Sequence, residues 1–192
     1  MALHIRHADK NDAPHVAALI DIAGHGIEGE FWQSSAGEEL SAINAARRMI
    51  IEDGTLPYHY SKAHLCELEG EVAGGLIGGQ IQETTVILAD FPPYFAPLLE
   101  LETHVPGFWA VIGIAVYPEF RGRGIASRLL EHAKSQAVMT GSKGLSLVVE
   151  NNNETALALY RKFGFAEAGS RPWLSFAGRS GPTSWVLMTL PF

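Results

Sequence analysis

The chain has 192 residues, a single cysteine, a formal net charge of −7 and a pI near 5.6. That length suits one domain, Cys66 alone excludes a disulfide scaffold or a thiolate metal cluster, and the acidic balance argues against a nucleic-acid partner. The longest apolar stretch, Phe108 to Tyr117, is about half the ~20 residues a membrane span requires. Charges occupy the N-terminal segment where a signal peptide would be apolar. The expected location is the cytoplasm.

In chain order, His4 to Ala8 reads as a strand, and Asp12 is placed to cap a helix through Val16, Leu19 and Ile20 that stops at Gly24 or Gly26. Leu40, Ile43, Ala46 and Ile50 predict a second helix over 38–53. Ala63 to Glu69 and Glu71 to Gln82 predict paired strands turning at Gly70. Glycines 74, 75, 78 and 79 in the second strand point to a bulge or a close backbone approach. From Ile87 to Gly107 four prolines interrupt any long element, and Phe91, Tyr94 and Phe95 either line an acceptor site or cap the core.

Phe108 to Tyr117 is nearly all apolar, as buried central strands are. Ile125, Leu129, Leu130, Ala133 and Ala137 mark the buried face of a helix ending at Gly141. Leu145 to Glu150 is the next strand, and Asn151 with Glu154 resembles a capping box for a helix ending at Gly164. Two strands, 166–176 and 184–190, finish the chain. The order describes one mixed-sheet α/β domain over residues 1–192 with no interior linker.

The segment from Ile114 to Ala126 is a strand, a glycine turn and a helix start. Unpaired N–H groups and the positive dipole end at such a start attract phosphate. Gly122 and Gly124 let the backbone approach closely, while Arg121 and Arg123 add charge-assisted donors. A Walker loop would need a Gly-Lys-Ser/Thr ending. A dinucleotide fingerprint would need glycine or alanine where Ser127 stands, and an acid about twenty residues on. Neither is present.

Arg121-x-x-Gly124-x-Ala126 after Ile-Ala-Val-x-Pro-Glu resembles the acyl-CoA signature of the Gcn5-related N-acetyltransferase (GNAT) family. Asn153-x-x-Ala156-x-x-Leu159-Tyr160-x-x-Phe163-Gly164-Phe165 resembles that family's next block. The clear match covers residues 109–167. It implies the acyl-CoA N-acyltransferase (GNAT) fold, a mixed and mostly antiparallel sheet flanked by helices, with acetyl-CoA as co-substrate. It also implies that the pantetheine arm pairs with Ile114, Ala115 and Val116, and that the pyrophosphate sits on Gly122, Arg123, Gly124, Ile125, Ala126 and Ser127 with Arg121 opening the motif. Asn153 would reach the pantetheine, and Tyr160 would lie by the thioester sulfur as general acid.

Acetyl transfer to an amine requires the neutral amine, and neutralising a lysine-like group at pH 7 costs on the order of 4.6 kcal/mol. A general base meets part of that. The family's usual base position on the central strand is occupied here by Ala110, Val111, Ile112 and Gly113, and the alternative position on the next strand by Val148. Glu150 shares a strand face with Val148 and is the base candidate, with Glu100, Glu102, His104 or water as rivals. The other histidines show no metal-ligand spacing, so no metal is expected. Glu131 and His132 fall on the predicted exposed side of their helix, and Cys66 reads as a core thiol. The favoured reading is an acetyl-CoA-dependent N-acetyltransferase acting on an amine of a small molecule or peptide by direct attack in a ternary complex. The alternative is a non-catalytic acyl-CoA-binding module of the same fold. Neither requires nucleic acid or membrane, and either is compatible with a homodimer.

Overall fold

The computed structural model describes residues 3–36, 40–81 and 91–192. Among them, strands β1 (Leu3–His7), β2 (Ala63–Leu68), β3 (Glu71–Gln80), β4 (Trp109–Val116), β5 (Gly144–Glu150), β6 (Ala166–Pro172) and β7 (Ser184–Pro191) form one sheet in the order β1-β2-β3-β4-β5-β7-β6. The helices are α1 (Ala13–Ala23), α2 (Ile27–Ser35), α3 (Ala42–Glu52), α4 (Ala96–Glu102), α5 (Ile125–Met139) and α6 (Glu154–Phe163). β4 and β5 run parallel, whereas β1–β2, β2–β3, β5–β7 and β6–β7 are antiparallel. The sheet is therefore mixed and mostly antiparallel, as expected. No helix among the described residues is long and apolar enough to cross a membrane.

The chain divides into two compact units, Met1–Gly79 with Ile112–His132 and Gln80–Val111 with Ala133–Phe192. In the first, α1 buries Ala13, Val16, Ala17 and Ile20, the spacing of one helical face, together with Leu65, Ile77, Ala115 and, from α3, Ala46 and Ile50. The strand glycines make this packing possible. A Cβ on Gly74 would lie 2.5 Å from the Ala115 carbonyl oxygen, one on Gly75 2.9 Å from Leu19, and one on Gly113 2.5 Å from Ile20. The close approach predicted for the β3 glycines is thus observed, and a bulge occurs in the same strand: Cys66 pairs with Gly74 and Glu67 with Val72, leaving Ala73 as the extra residue. Glu69 and Gly70 both adopt positive φ, 56° and 89°, which gives the tight two-residue turn whose twist suits a hairpin. In the second unit, Leu145, Leu147 and Val149 of β5 and Val186 to Met188 of β7 are buried, with α4 packed on β5, β6 and β7.

Three local expectations are corrected, and one helix stands where none was predicted. Asp12 precedes α1 but caps nothing there; its carboxylate binds the Arg6 guanidinium at 2.7 Å and accepts from the Asp9 N–H. The stretch Ile27–Ser35, which lacks helical periodicity, is helical because burial of Ile27 and Trp32 rewards it, and Glu28 is buried along with them. α3 starts at Ala42 rather than residue 38, and residues 37–39 lie outside the described ones, as does Gln82 at the expected end of β3. Pro93 to Glu102 is not irregular: a 3-10 turn, Pro93–Phe95, runs into α4. Pro93 and Pro97 sit in first turns, where a missing N–H leaves no bond unmade. The rest of the expected irregular stretch, through residue 90, lies outside the described residues.

Candidate active site

In the first unit β4 leads directly into the glycine turn. The strand's opening residues, Trp109, Ala110 and Val111, belong to the second unit and pair there with β5. Ile112, Ile114 and Val116 are half-buried, whereas Ala115 is buried. The Tyr117 N–H donates to the Ala73 carbonyl at 2.9 Å, and the Tyr117 hydroxyl lies 3.0 Å from His15 Nδ1. Together these contacts fix where the turn departs from the sheet.

Gly122 and Gly124 adopt φ of 75° and 76°, and a Cβ built on either would meet nothing within 4 Å. Glycine is required here by backbone conformation, and the space beside the turn is open. α5 follows, its first N–H groups lacking intrahelical acceptors and its dipole presenting a positive end. Buried Ile125 anchors the first turn, Ala126 is half-buried and Ser127 is exposed. Both motif arginines brace the turn: Arg121 Nε donates to the Val116 carbonyl at 3.2 Å, and Arg123 donates to the Glu119 carbonyl at 3.3 Å. The Arg123 guanidinium also lies 5.6 Å from the Phe120 ring centre. Backbone donors, a helix dipole and two guanidinium groups at an open turn suit a phosphate.

In the second unit Asn153, not Asn151, caps α6: its Oδ1 accepts from the Ala156 N–H at 3.2 Å. That leaves the Asn153 Nδ2 group as the donor. Asn151 instead holds the entry to β7, accepting from the N–H groups of Thr183 and Ser184 and donating to the Thr183 hydroxyl. Tyr160 is buried on α6, its ring centre 5.8 Å from that of Phe165, and burial pushes its hydroxyl up to about 12. Glu150 ends β5 opposite Trp185 and is half-buried.

The rival base candidates separate clearly. Exposed Glu100 pairs with Arg171 at 2.8 Å, and that hydrogen bond holds its carboxyl below the usual range. His104 is occupied by the Glu100 carbonyl at 2.8 Å and by Arg171. Glu102, at the end of α4, keeps some exposed surface, yet its carboxyl lies deep enough that desolvation pushes it up to about 7. Tyr94 and Phe95 belong to a ring cluster: Tyr94 stacks at 5.1 Å on both Phe95 and Phe176, and Phe176 lies 5.5 Å from Trp173.

Sequence reasoning missed two polar groupings. His132, expected on a solvated face, has its Nε2 2.9 Å from Nδ1 of buried His64. Glu28 on α2 is buried and its Oε2 has no hydrogen-bond partner among the described residues, while Trp32 and Tyr58 lie with ring centres 6.3 Å apart and their polar atoms toward each other. Helical periodicity offered no signal for either. No cluster of three or more His, Cys, Asp or Glu residues able to hold a metal occurs among the described residues.

Residues 30–165 match the family model described as the acetyltransferase (GNAT) family. The crystal structure of an acetyltransferase superposes with a TM-score of 0.67 at 25% identity, covering 98% of each chain. An N-acetyltransferase from Staphylococcus aureus Mu50 superposes with a TM-score of 0.66 at 23% identity, covering 97% of this chain and 100% of that one. An uncharacterized protein of Mycobacterium leprae (strain TN) is 47% identical over 70 residues, 36% of this chain. This chain matches only 19% of that relative's length.

Proposed function

This chain belongs to the GNAT acetyltransferase family, and from that premise we propose that it carries the acetyl group of acetyl-CoA, the family's acyl donor, to an amine of a small molecule or peptide by direct attack in a ternary complex. The observation that carries the reading is the open turn at the start of α5, where Gly122 and Gly124 both hold positive φ beside nothing within 4 Å. Its N–H groups, from Gly122 to Ser127, would hold the pyrophosphate, with Arg121 and Arg123 keeping the turn in shape. The backbone of Ile114, Ala115 and Val116 would pair with the pantetheine, and Asn153 Nδ2 would donate to one of its carbonyls.

Tyr160 would donate its hydroxyl hydrogen to the departing sulfur. With the phenol pushed up to about 12 by burial and a thiol near 8.5, full proton transfer is uphill by several kcal/mol. The role that fits is therefore a hydrogen bond stabilising the thiolate, with the proton itself coming from the attacking amine by way of the base. Glu150 is the base by position on its strand. Glu102 competes on chemistry, because a carboxyl near 7 accepts a proton at neutral pH without being too weak a base. Glu100, neutralised by Arg171, contributes little to attracting a cationic acceptor.

Thiol release from acetyl-CoA across a panel of small amines, polyamines and peptide N-termini tests the proposal. At least one amine should raise release well above hydrolysis and yield its acetylated product. Tight acetyl-CoA binding with no amine-dependent release would support a non-catalytic acyl-CoA-binding module instead.

A further inference from the structure

Three imidazoles meet in the first unit. His7 of β1 and His64 of β2 are direct cross-strand partners with ring centres 4.1 Å apart. His132 of α5 closes on His64 with ring centres 4.6 Å apart and the Nε2–Nδ1 contact of 2.9 Å. His7 is exposed, His132 half-buried and His64 buried. His132 follows Ile125 by seven residues and Leu129 by three, so all three share one helical face. Ile125 and Leu129 are buried on that face. The helix whose first turn would cradle phosphate is thus seated, two turns on, upon a histidine cluster rather than an apolar side chain.

A contact between two imidazole nitrogens needs one N–H and one lone pair. With both rings protonated, all four nitrogens are donors and the contact becomes repulsive. Among the described residues no carboxylate raises His64 or His132 against this repulsion. On β1, Arg6 lies on the opposite face, engaged with Asp12 and Glu67. On β2 the same-face neighbour is Cys66, whose thiol is pushed up by burial, and β3 places Leu76 opposite His64. On α5, Arg128 and Glu131 flank His132 but are exposed. Burial, then His7 and His132, pull His64 down to about 4, and burial, then His7, pulls His132 down as well.

We propose that His7, His64 and His132 form an acid-operated latch: neutral or singly protonated, the cluster holds α5 against β1 and β2, and on taking a second proton it releases the helix together with the turn at its N-terminus. The consequence for acetyl-CoA rests on the function proposed above; the latch itself does not.

Amide hydrogen exchange over residues 125–132 and acetyl-CoA affinity, each at about pH 7.5 and about pH 5.5, test it. The comparison is with the double variant His64→Leu/His132→Leu, which keeps apolar side chains in the seam and leaves only exposed His7 to titrate, and with His64→Leu alone should the double variant fail to fold. Corrected for intrinsic exchange, protection in the parent should fall by roughly tenfold or more on acidification, and in the variant by no more than about twofold. Acetyl-CoA affinity should follow the same difference. Equal losses of protection in parent and variant, or none in the parent, would overturn the latch. Loss of protection confined to the parent, with no acetyl-CoA binding at either pH, would uphold the latch and refute the cofactor reading instead.

Discussion

At Gly124 the backbone is left-handed, with φ of 76° and open space where a Cβ would stand. The glycine therefore serves conformation first and ligand approach second, and a substitution probes both. Gly124→Ala should lower stability by about 1–2 kcal/mol, the cost of placing a side chain in that region, while Gly124→Val should lower it further because branching at Cβ narrows the allowed backbone. Denaturant melts measure this. Tyr160→Phe keeps the ring against Phe165 and removes the donor, so turnover should fall by about tenfold to a hundredfold, the lower part of the usual range for such groups. Stopped-flow thiol release reads it; turnover within about threefold of the parent would make Tyr160 a packing residue.

Glu102 supplies a pH test. A base must be unprotonated to act, so activity should fall as pH drops through about 7. With Glu102 as the base, Glu102→Gln should abolish that limb of the profile and most of the rate. If Glu150→Gln does so instead while Glu102→Gln leaves the profile intact, the base is on β5. Residues of this kind were partly legible in the sequence. The positions of Tyr160 and Asn153 followed from the block that contains them, but the raised phenol of Tyr160 and the helix cap made by Asn153 depend on neighbours brought together only by folding. The ion pair of Glu100 with Arg171 bridges α4 and β6, and no local pattern announces it.

Elements were legible in proportion to how strongly local pattern and tertiary packing agree. The run from β4 through the turn into α5 combines a continuous apolar strand, two glycines and a clean helical stripe, and its bounds were readable to within a residue or two. α2 was invisible because Gly29 and two serines dilute its pattern; burial of Ile27 and Trp32 decides its conformation. α4 was hidden by prolines that read as breakers but occupy first turns. The capping pattern was displaced by two residues, since Asn151 and Asn153 are chemically alike and only one has a helix N–H within reach.

α2 carries a prediction of its own. Desolvation raises the Glu28 carboxyl from 4.5 to about 8, and a Cβ at Gly24 would overlap that carboxyl. Above about pH 4.5 the unfolded chain gives up this proton while the folded one keeps it, so the contribution of Glu28 is best below that pH and is lost progressively up to about pH 8. The loss amounts to roughly 4–5 kcal/mol at 1.36 kcal/mol per unit. Glu28→Gln should flatten the dependence and stabilise the protein at about pH 8 by a few kcal/mol, as read by urea melts across pH. A parent whose stability does not decline between about pH 5 and 8 would refute the buried, protonated state of this group.

For the molecule as a whole, the net charge of −7 makes the arginines of the turn a local exception, and binding of a polyanion there depends on backbone geometry as much as on charge. The sequence resemblance covered residues 109–167, while the family model extends over 30–165. The earlier part is weaker in sequence because helices packed on a sheet are specified by apolar periodicity alone, whereas the turn needs glycine at two positions of positive φ, Gly122 and Gly124. The acceptor amine stayed unreadable for the same reason: shape and solvation of a surface, rather than a motif, select it.

Calorimetric titration of acetyl-CoA into the parent protein and into Gly124→Ala, at matched ionic strength, tests whether the turn at the start of α5 holds the cofactor. The parent should bind one equivalent per chain in the micromolar range common for enzyme substrates (~1 μM to 1 mM). The folded variant should bind at least about tenfold more weakly, because its methyl group projects where phosphate must reach the backbone. Equal affinity in the two proteins, or no heat of binding in the parent, would contradict the assignment of this turn and of the function built on it.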